Sequence, residues 1–281
     1  MEEENSPFYL RRGTLLDNRY LIGRTLGHGG FGITYLGVEQ TLGLRVAIKE
    51  YMPRQISSRD TSSMIVRPYP NHHKNFSIGL DKFFEEARTL ASFATCPYIV
   101  SIIAFFREER THTGYLVMHY LEGMTLEEMR NKRGGLSISE EEVLPWSIDA
   151  LKGLDIVHHV GIIHRDIKPG NLYLTKENQI KLLDFGTARF AVDGLYRALT
   201  QESTPDFAPP EQWDSTHGVQ GPWTDLYALG VTLYLLLTGR LPLPPTFRMA
   251  GHPMQSPKEI LGDTISQATS DAVMKAIQID P

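Results

Sequence analysis

The sequence predicts an α+β fold in two parts, a small antiparallel sheet carrying one helix followed by a mainly helical part. Three observations predict it. Between Tyr20 and Lys49 the runs YLIGRTL, ITYLGV and LRVAIK, rich in β-branched and aromatic residues, alternate with turn residues, as consecutive short strands do. In FFEEARTLASFA, Phe83, Ala87, Leu90 and Ala94 recur at helical spacing and fall on one face. From Thr125 onward the composition turns helical, with Ser139 and Glu142 spaced as a capping box and an apolar run from Ala228 to Leu237 that suits a buried helix.

The elements follow in order. The stretch from Tyr51 to Asn75 is polar and rich in Pro, Ser and His, and reads as a long connection into the helix. Residues Ile99 to Phe106 and Tyr115 to His119 return to strand character, and the change of composition at Leu121 to Gly123 sets the boundary between the parts. The helix opened at Ser139 runs to about Val160. The expected organisation is an extension over 1–17, the sheet part over 18–121 and the helical part over 122–281.

A chain of 281 residues with 41% hydrophobic and 22% charged residues has the make-up of a folded globular protein rather than a disordered or fibrous one. A net charge of −5 argues against nucleic acid as a partner, because binding of that kind is driven by neutralising phosphates. Cys96 is the only cysteine, which excludes an intrachain disulfide and a cysteine metal site and points to the cytoplasm. The start MEEENSPFYLRR is acidic and has no signal-peptide pattern, and the apolar stretch Leu226 to Leu237 is too short for a span of about 20 residues. No membrane segment is expected in these residues.

The residues with chemistry lie at four places. Gly27-His28-Gly29-Gly30-Phe31-Gly32 can turn sharply and bring backbone N–H groups to phosphate oxygens, although by itself it suits a ligand-free hairpin equally well. A dinucleotide site would need a helix directly afterwards, and strand-like ITYLGV follows instead. Lys49 ends Val-Ala-Ile-Lys on the next strand, where its ammonium could meet phosphates if a helix carboxylate held it. Of Glu85 and Glu86, Glu86 borders the apolar face and is the better candidate. In His164-Arg165-Asp166-Ile167-Lys168-Pro169-Gly170-Asn171 an acid, a cation and an amide combine as phosphoryl transfer requires, and Asp184-Phe185-Gly186 adds a strand-end carboxylate of the oxygen type that Mg²⁺ prefers.

With Ala208-Pro209-Pro210-Glu211 and the run TDLYALG through Asp225, these motifs in this order resemble the eukaryotic-type (Hanks-type) Ser/Thr protein kinases, from about Asp17 to the end of the chain. GGFGITYLG, AIKEYMP and FFEEARTLASF are most similar to the bacterial branch. The resemblance implies the two-lobed protein kinase fold and transfer of the γ-phosphoryl group of ATP to Ser/Thr hydroxyls of proteins, with Mg²⁺, or Mn²⁺ in its place. Gly27, His28, Gly29, Gly30, Phe31 and Gly32 then cover the phosphates, Lys49 pairs with Glu86, Asp166 acts as base beside Lys168, and Asn171 and Asp184 hold the metal ion. Met118 becomes the gatekeeper, His119 to Leu121 the adenine hinge, and Thr34 and Ala47 part of the adenine ceiling. Thr200, Ser203 and Thr204 become candidates for autophosphorylation, Thr200 first, with Arg165 and Arg189 to receive the phosphate and a transient homodimer to deliver it.

Three positions depart from the family's pattern: Thr34 for a common valine, His119 for the hinge glutamate and Asp206 for a glycine after Thr-Pro. The family continues beyond Asp280-Pro281 to an arginine that pairs at the Glu211 position, so the second lobe is expected either to be truncated from a longer protein, which leaves Glu211 without that pair, or to carry an unusual substitute for its support. A partner-binding scaffold without catalysis would be expected to lose one of Lys49, Asp166, Asn171 and Asp184, and all are present. A small-molecule phosphotransferase would be expected to lack the APPE element.

Overall fold

The computed structural model describes residues 8–185, 205–213 and 219–280. They form two compact units, the first holding 8–96 and 100–121 and the second 97–99, 122–185, 205–213 and 219–280.

The first unit is built on a six-stranded antiparallel sheet. Its strands are β1 (Leu15–Leu16), β2 (Tyr20–Gly29), β3 (Gly32–Glu39), β4 (Leu44–Tyr51), β7 (Ile102–Glu108) and β8 (Thr113–His119), in the order β1-β2-β3-β4-β8-β7. Because paired residues project to the same side, the register sorts the strands into two faces. Thr34 pairs with Lys49 and Lys49 with Leu116, while Ala47 pairs with Met118; these share one face. Tyr51 lies on that face by the same alternation and packs against Phe76 and Phe83 of α1 (His73–Ala91), with ring centroids 5.1 and 5.7 Å away.

The other face carries Tyr35, Glu50 and Tyr115. The Tyr35 and Tyr115 hydroxyls donate to the two oxygens of Glu50 at 2.9 and 2.6 Å, and Arg59 forms an ion pair with the same carboxylate. Burial and the neighbouring Glu50 charge push both tyrosine hydroxyls well above their ordinary range.

Two sequence expectations need correction in this unit. The stretch between Tyr51 and Asn75 is not a plain connection: β5 (Ser57–Arg59) and β6 (Val66–Pro68) form a hairpin, and α1 starts already at His73. Its strands were hidden because Arg59 is a buried charge, the residue type that alternation counts as surface, yet it is stabilised by Glu50. Ala94 lies beyond the end of α1 and is exposed, and Phe93 is the residue that turns inward.

The second unit is mainly helical. Thr125 caps α2 (Leu126–Lys132) in a reciprocal box with Glu128, at 3.1 Å from hydroxyl to N–H and 2.9 Å in return. Ser139 opens α3 (Glu140–His159) by accepting from the Glu142 N–H at 3.3 Å; the Glu142 carboxylate returns to the Ser139 hydroxyl rather than to its backbone. Helix α4 (Pro222–Thr238) starts with proline at its first position and ends at Gly239, whose φ of 72° stops it. Gly230 lets α7 (Gln267–Ala276) approach closely, since a Cβ there would stand 2.8 Å from the Ala276 Cβ. Two short helices, α5 (Pro245–Met249) and α6 (Pro257–Leu261), lie between α4 and α7, and β9 (Gly123–Thr125), β10 (Leu172–Thr175) and β11 (Ile180–Leu182) form a small antiparallel sheet.

Glu211 is buried but not alone. The Thr224 hydroxyl, itself fully buried at the start of α4, donates to its Oε1 at 2.8 Å, a hydrogen bond from a neutral group that takes the place of the expected arginine pair. Among the described residues no helix is long and apolar enough to cross a membrane.

Candidate active site

In the first unit the glycine run is the turn between β2 and β3. Gly27 pairs with Thr34, His28 with Ile33 and Gly29 with Gly32, leaving Gly30 and Phe31 at the tip. The glycines are there for different reasons. A Cβ on Gly32 would stand 2.2 Å from the Glu50 carbonyl oxygen, so the fold itself forbids a side chain there. Among the described residues nothing lies within 4 Å of a Cβ on Gly27 or Gly29, and neither has a left-handed φ, so no described neighbour demands glycine at either. Open space beside a bare backbone is what close approach of a ligand needs.

Lys49 projects from β4 on the face covered by α1, between Thr34 and Leu116. Glu86 of α1 is 3% exposed, whereas Glu85 turns outward and pairs with Lys82 at 2.6 Å. Met118 is buried beside Ala47, and His119, paired with Val46, is exposed at the end of β8. Leu121 follows two residues after that strand and is half-buried.

In the second unit the loop after α3 carries the acid. Asp166 and Lys168 are partly exposed, with Lys168 Nζ 3.4 Å from Asp166 Oδ2. Asn171 is buried and donates from Nδ2 to the Asp166 carbonyl at 2.7 Å and to its carboxylate. The amide nitrogen only donates, so Oδ1 is the amide atom left to face a cation. The Leu183 N–H donates to the Asn171 carbonyl at 2.9 Å, which ties the loop to the segment that presents Asp184.

Two residues here hold left-handed backbone without being glycine, Arg165 at φ 65° and Asp184 at φ 47°. Each costs of order 1–2 kcal/mol and must be held by its surroundings. For Arg165 the holder is Asp225, fully buried on α4. Its Oδ1 accepts from the Arg165 N–H at 2.7 Å, and its Oδ2 accepts from the His164 N–H at 2.8 Å and from His158 Nε2 at 2.7 Å. Gln212 donates to the Arg165 carbonyl at 2.9 Å.

His164 is locked between two backbone groups. Its Nε2–H donates to the Leu183 carbonyl at 2.9 Å, so its Nδ1 accepts from the Asp166 N–H at 3.3 Å. Burial holds its pKa below the ordinary value, and the ring stays neutral against Phe185, 4.5 Å away between centroids. As supports, His158, His164 and Gln212 were not foreseen from the sequence. The one signal available was the pair of histidines, 158 and 164, flanking the helix-to-loop passage.

Among the described residues no three His, Cys, Asp or Glu side chains converge on a metal position. Asp184 with the Asn171 amide therefore fits a hard cation only when other oxygens, such as phosphate and water, complete its shell, which is how Mg²⁺ is usually held. Thr200, Ser203, Thr204 and Arg189 lie outside the described residues.

A partly exposed carboxylate held by an amide and a lysine, with a second carboxylate suited to a hard cation, is the set of groups that phosphoryl transfer needs. The family model described as "Protein kinase domain" matches residues 20–277, and the chain belongs to that family. It is 34% identical to serine/threonine-protein kinase F of Synechocystis over 82% of this chain and 46% of that protein. It is 29% identical to a probable serine/threonine-protein kinase of Clostridium perfringens over 96% of this chain and 36% of that one. The chain thus spans less than half the length of these relatives. The solved structure of PpkA-294 in its apo form superposes with a TM-score of 0.84 at 30% identity, covering 97% of this chain and 94% of that one.

Proposed function

We propose that this chain transfers the γ-phosphoryl group of Mg-ATP to serine and threonine hydroxyls of proteins. The observation that carries the reading is the Asp166 carboxylate, partly exposed and fixed by Asn171 and Lys168 on a loop whose strained Arg165 is bonded to buried Asp225. Asp166 accepts the hydroxyl proton, which keeps the attacking oxygen nucleophilic, and the Lys168 ammonium beside it stabilises charge on the moving phosphoryl group. Asn171 Oδ1 and Asp184 hold the cation; Mg²⁺ when bound neutralises charge on the phosphates, and Mn²⁺ can take its place.

In the first unit Gly27, Gly29 and Gly32 present backbone to the phosphates, supported by the open space beside the first two. Lys49, held by Glu86, neutralises phosphate charge. Thr34, Ala47, Met118, His119 and Leu121 receive the adenine. Thr200, Ser203 and Thr204 are its own acceptors, Thr200 first, reached in a transient homodimer. A lone thiol and an ATP-consuming site fit the cytoplasm, and proteins rather than nucleic acid are the partners.

Transfer of labelled γ-phosphate to protein, compared with Asp166→Asn, tests the reading. Transfer to serine or threonine that the variant loses is expected. No transfer by the wild-type chain, or transfer only to small acceptors, refutes it. Phosphosite mapping after incubation with Mg-ATP checks Thr200, Ser203 and Thr204, and an unmodified 187–204 segment refutes that part.

A further inference from the structure

Phe8, Tyr9 and Leu10 run ahead of β1, and the proposed chemistry does not explain how firmly they are held. Arg59, buried in its pair with Glu50, donates from Nε to the Phe8 carbonyl at 2.9 Å. The Leu10 N–H donates to the Tyr35 hydroxyl at 3.1 Å. The Arg54 guanidinium carbon lies 5.4 Å from the Phe8 ring centroid and 5.7 Å from that of Tyr9, and its Nη2 donates to the Tyr9 hydroxyl at 3.4 Å. Tyr9 and Leu10 are buried by these contacts.

What Tyr9 reaches is the glycine turn. Its ring stacks on His28, with centroids 6.2 Å apart and planes inclined by 29°, although His28 is otherwise an exposed residue. The segment that carries Arg54 meets the same turn further along. The Met52 N–H donates to the Phe31 carbonyl at 3.0 Å, and Gln55 Nε2 lies 3.3 Å from where a Gly30 Cβ would stand. A turn with glycines at 27, 29 and 30 has little of its own to fix its height, since glycine backbone is the most freely varying. Beyond its pairing with β3, contacts at its back must help to set its position.

We propose that the Phe8–Leu10 strap positions the glycine turn: Tyr9, gripped by Arg54 and anchored on both sides by Arg59 and Tyr35, sets the place of His28 and through it that of Gly27 to Gly32. Tyr9 is a positioning residue and touches no substrate. The consequence for activity rests on the reading of this turn as the nucleotide-phosphate site. Whatever draws the strap off the sheet weakens nucleotide binding while leaving Asp166, Lys168 and Asn171 as they are.

The test uses the whole chain with Tyr9→Ala, Tyr9→Phe, His28→Ala and the Tyr9→Ala/His28→Ala pair. Amide exchange of residues 27–32 is followed without nucleotide, so that this arm is independent of any activity; KM for ATP and kcat are measured in parallel. Tyr9→Ala is expected to speed exchange across the turn by roughly tenfold and to raise KM for ATP by about fivefold with kcat within about twofold, the size of effect that loss of one aromatic contact gives. Tyr9→Phe keeps the ring and is expected to match the wild type. The double variant is expected to be no worse than the stronger single one, because both remove the same contact. Unchanged exchange at 27–32 in Tyr9→Ala, or additive effects in the pair, overturns the proposal. Should Tyr9→Ala fail to fold, His28→Ala decides in its place, since its side chain is exposed and unchanged exchange there overturns the proposal equally. If the wild type does not use ATP, the reading of the turn as a nucleotide site fails and the exchange arm alone decides the strap.

Discussion

Asp225→Asn tests the physical core of the second unit. The carboxylate is fully buried and accepts from two backbone N–H groups and from His158, at 2.7, 2.8 and 2.7 Å. In asparagine one oxygen becomes an NH₂ group. Placed at Oδ1 it faces the Arg165 N–H, donor against donor, and an unsatisfied buried donor costs about 1–3 kcal/mol. The two remaining bonds lose their charge assistance, about 1 kcal/mol each on the same scale. The sum is roughly 3–5 kcal/mol, and part of it is strain at Arg165, whose left-handed backbone has then lost its acceptor. With a urea dependence of about 3 kcal/mol per M for a unit of this size, the midpoint of its transition should fall by ~1–1.7 M. Because Arg165 directly precedes Asp166, kcat should fall by about two orders of magnitude while KM for ATP changes little, as expected when a reacting group is misplaced by about 1 Å. A midpoint within ~0.3 M of wild type, or an unchanged kcat, would refute the claim that these bonds hold the loop.

Three further outcomes follow from the packing. Arg59→Met leaves the Glu50 carboxylate buried without its cation and should lower stability by ~3–5 kcal/mol; combined with Glu50→Gln it should recover at least half, and equal melting of the single and double variants would reject the charge argument. Gly32→Ala should destabilise the first unit, because its Cβ would stand 2.2 Å from the Glu50 carbonyl oxygen, whereas Gly29→Ala should leave the melting temperature within about 1 °C and raise KM for ATP; the reverse pattern would contradict the division of roles among the glycines. Glu108 is held down to about 2 from 4.5, chiefly by its bonds to Arg110 and then by the Asp17 N–H. Since the folded value lies below the unfolded one, its contribution is complete above pH 4.5 and fades as pH falls toward 2. Glu108→Gln should therefore show a shallower loss of stability than wild type in that window, measured by urea titration at successive pH values, and an identical slope would contradict the assignment.

Much of the fold was legible in the sequence because its patterns are local. The strands of β2 to β4 carry their own alternation, and α3 announces itself by Ser139 with Glu142, whereas the Thr125–Glu128 box that opens α2 was found only in the structure. The β5–β6 hairpin was not legible. Its Arg59 reads as a surface residue until Glu50, nine positions earlier on another strand, is placed beside it. For the same reason the hydrogen bond from Thr224 to Glu211 was not legible, since it comes from the start of another helix.

The candidate site divides along the same line. By itself the sequence determined which groups could act, because Lys49, Asp166, Lys168, Asn171 and Asp184 are chemical types in a fixed order, and the order is covalent. Only the tertiary structure decided how those in the second unit are held: His164 as a neutral ring between the Leu183 carbonyl and the Asp166 N–H, Arg165 in a left-handed turn bonded to Asp225 from 60 residues away. It also decided that Gly32 serves the fold while Gly27 and Gly29 leave space. The physical reason is that a residue's chemistry travels with its side chain, whereas strain, protonation and room depend on neighbours that distant segments bring together when the core closes.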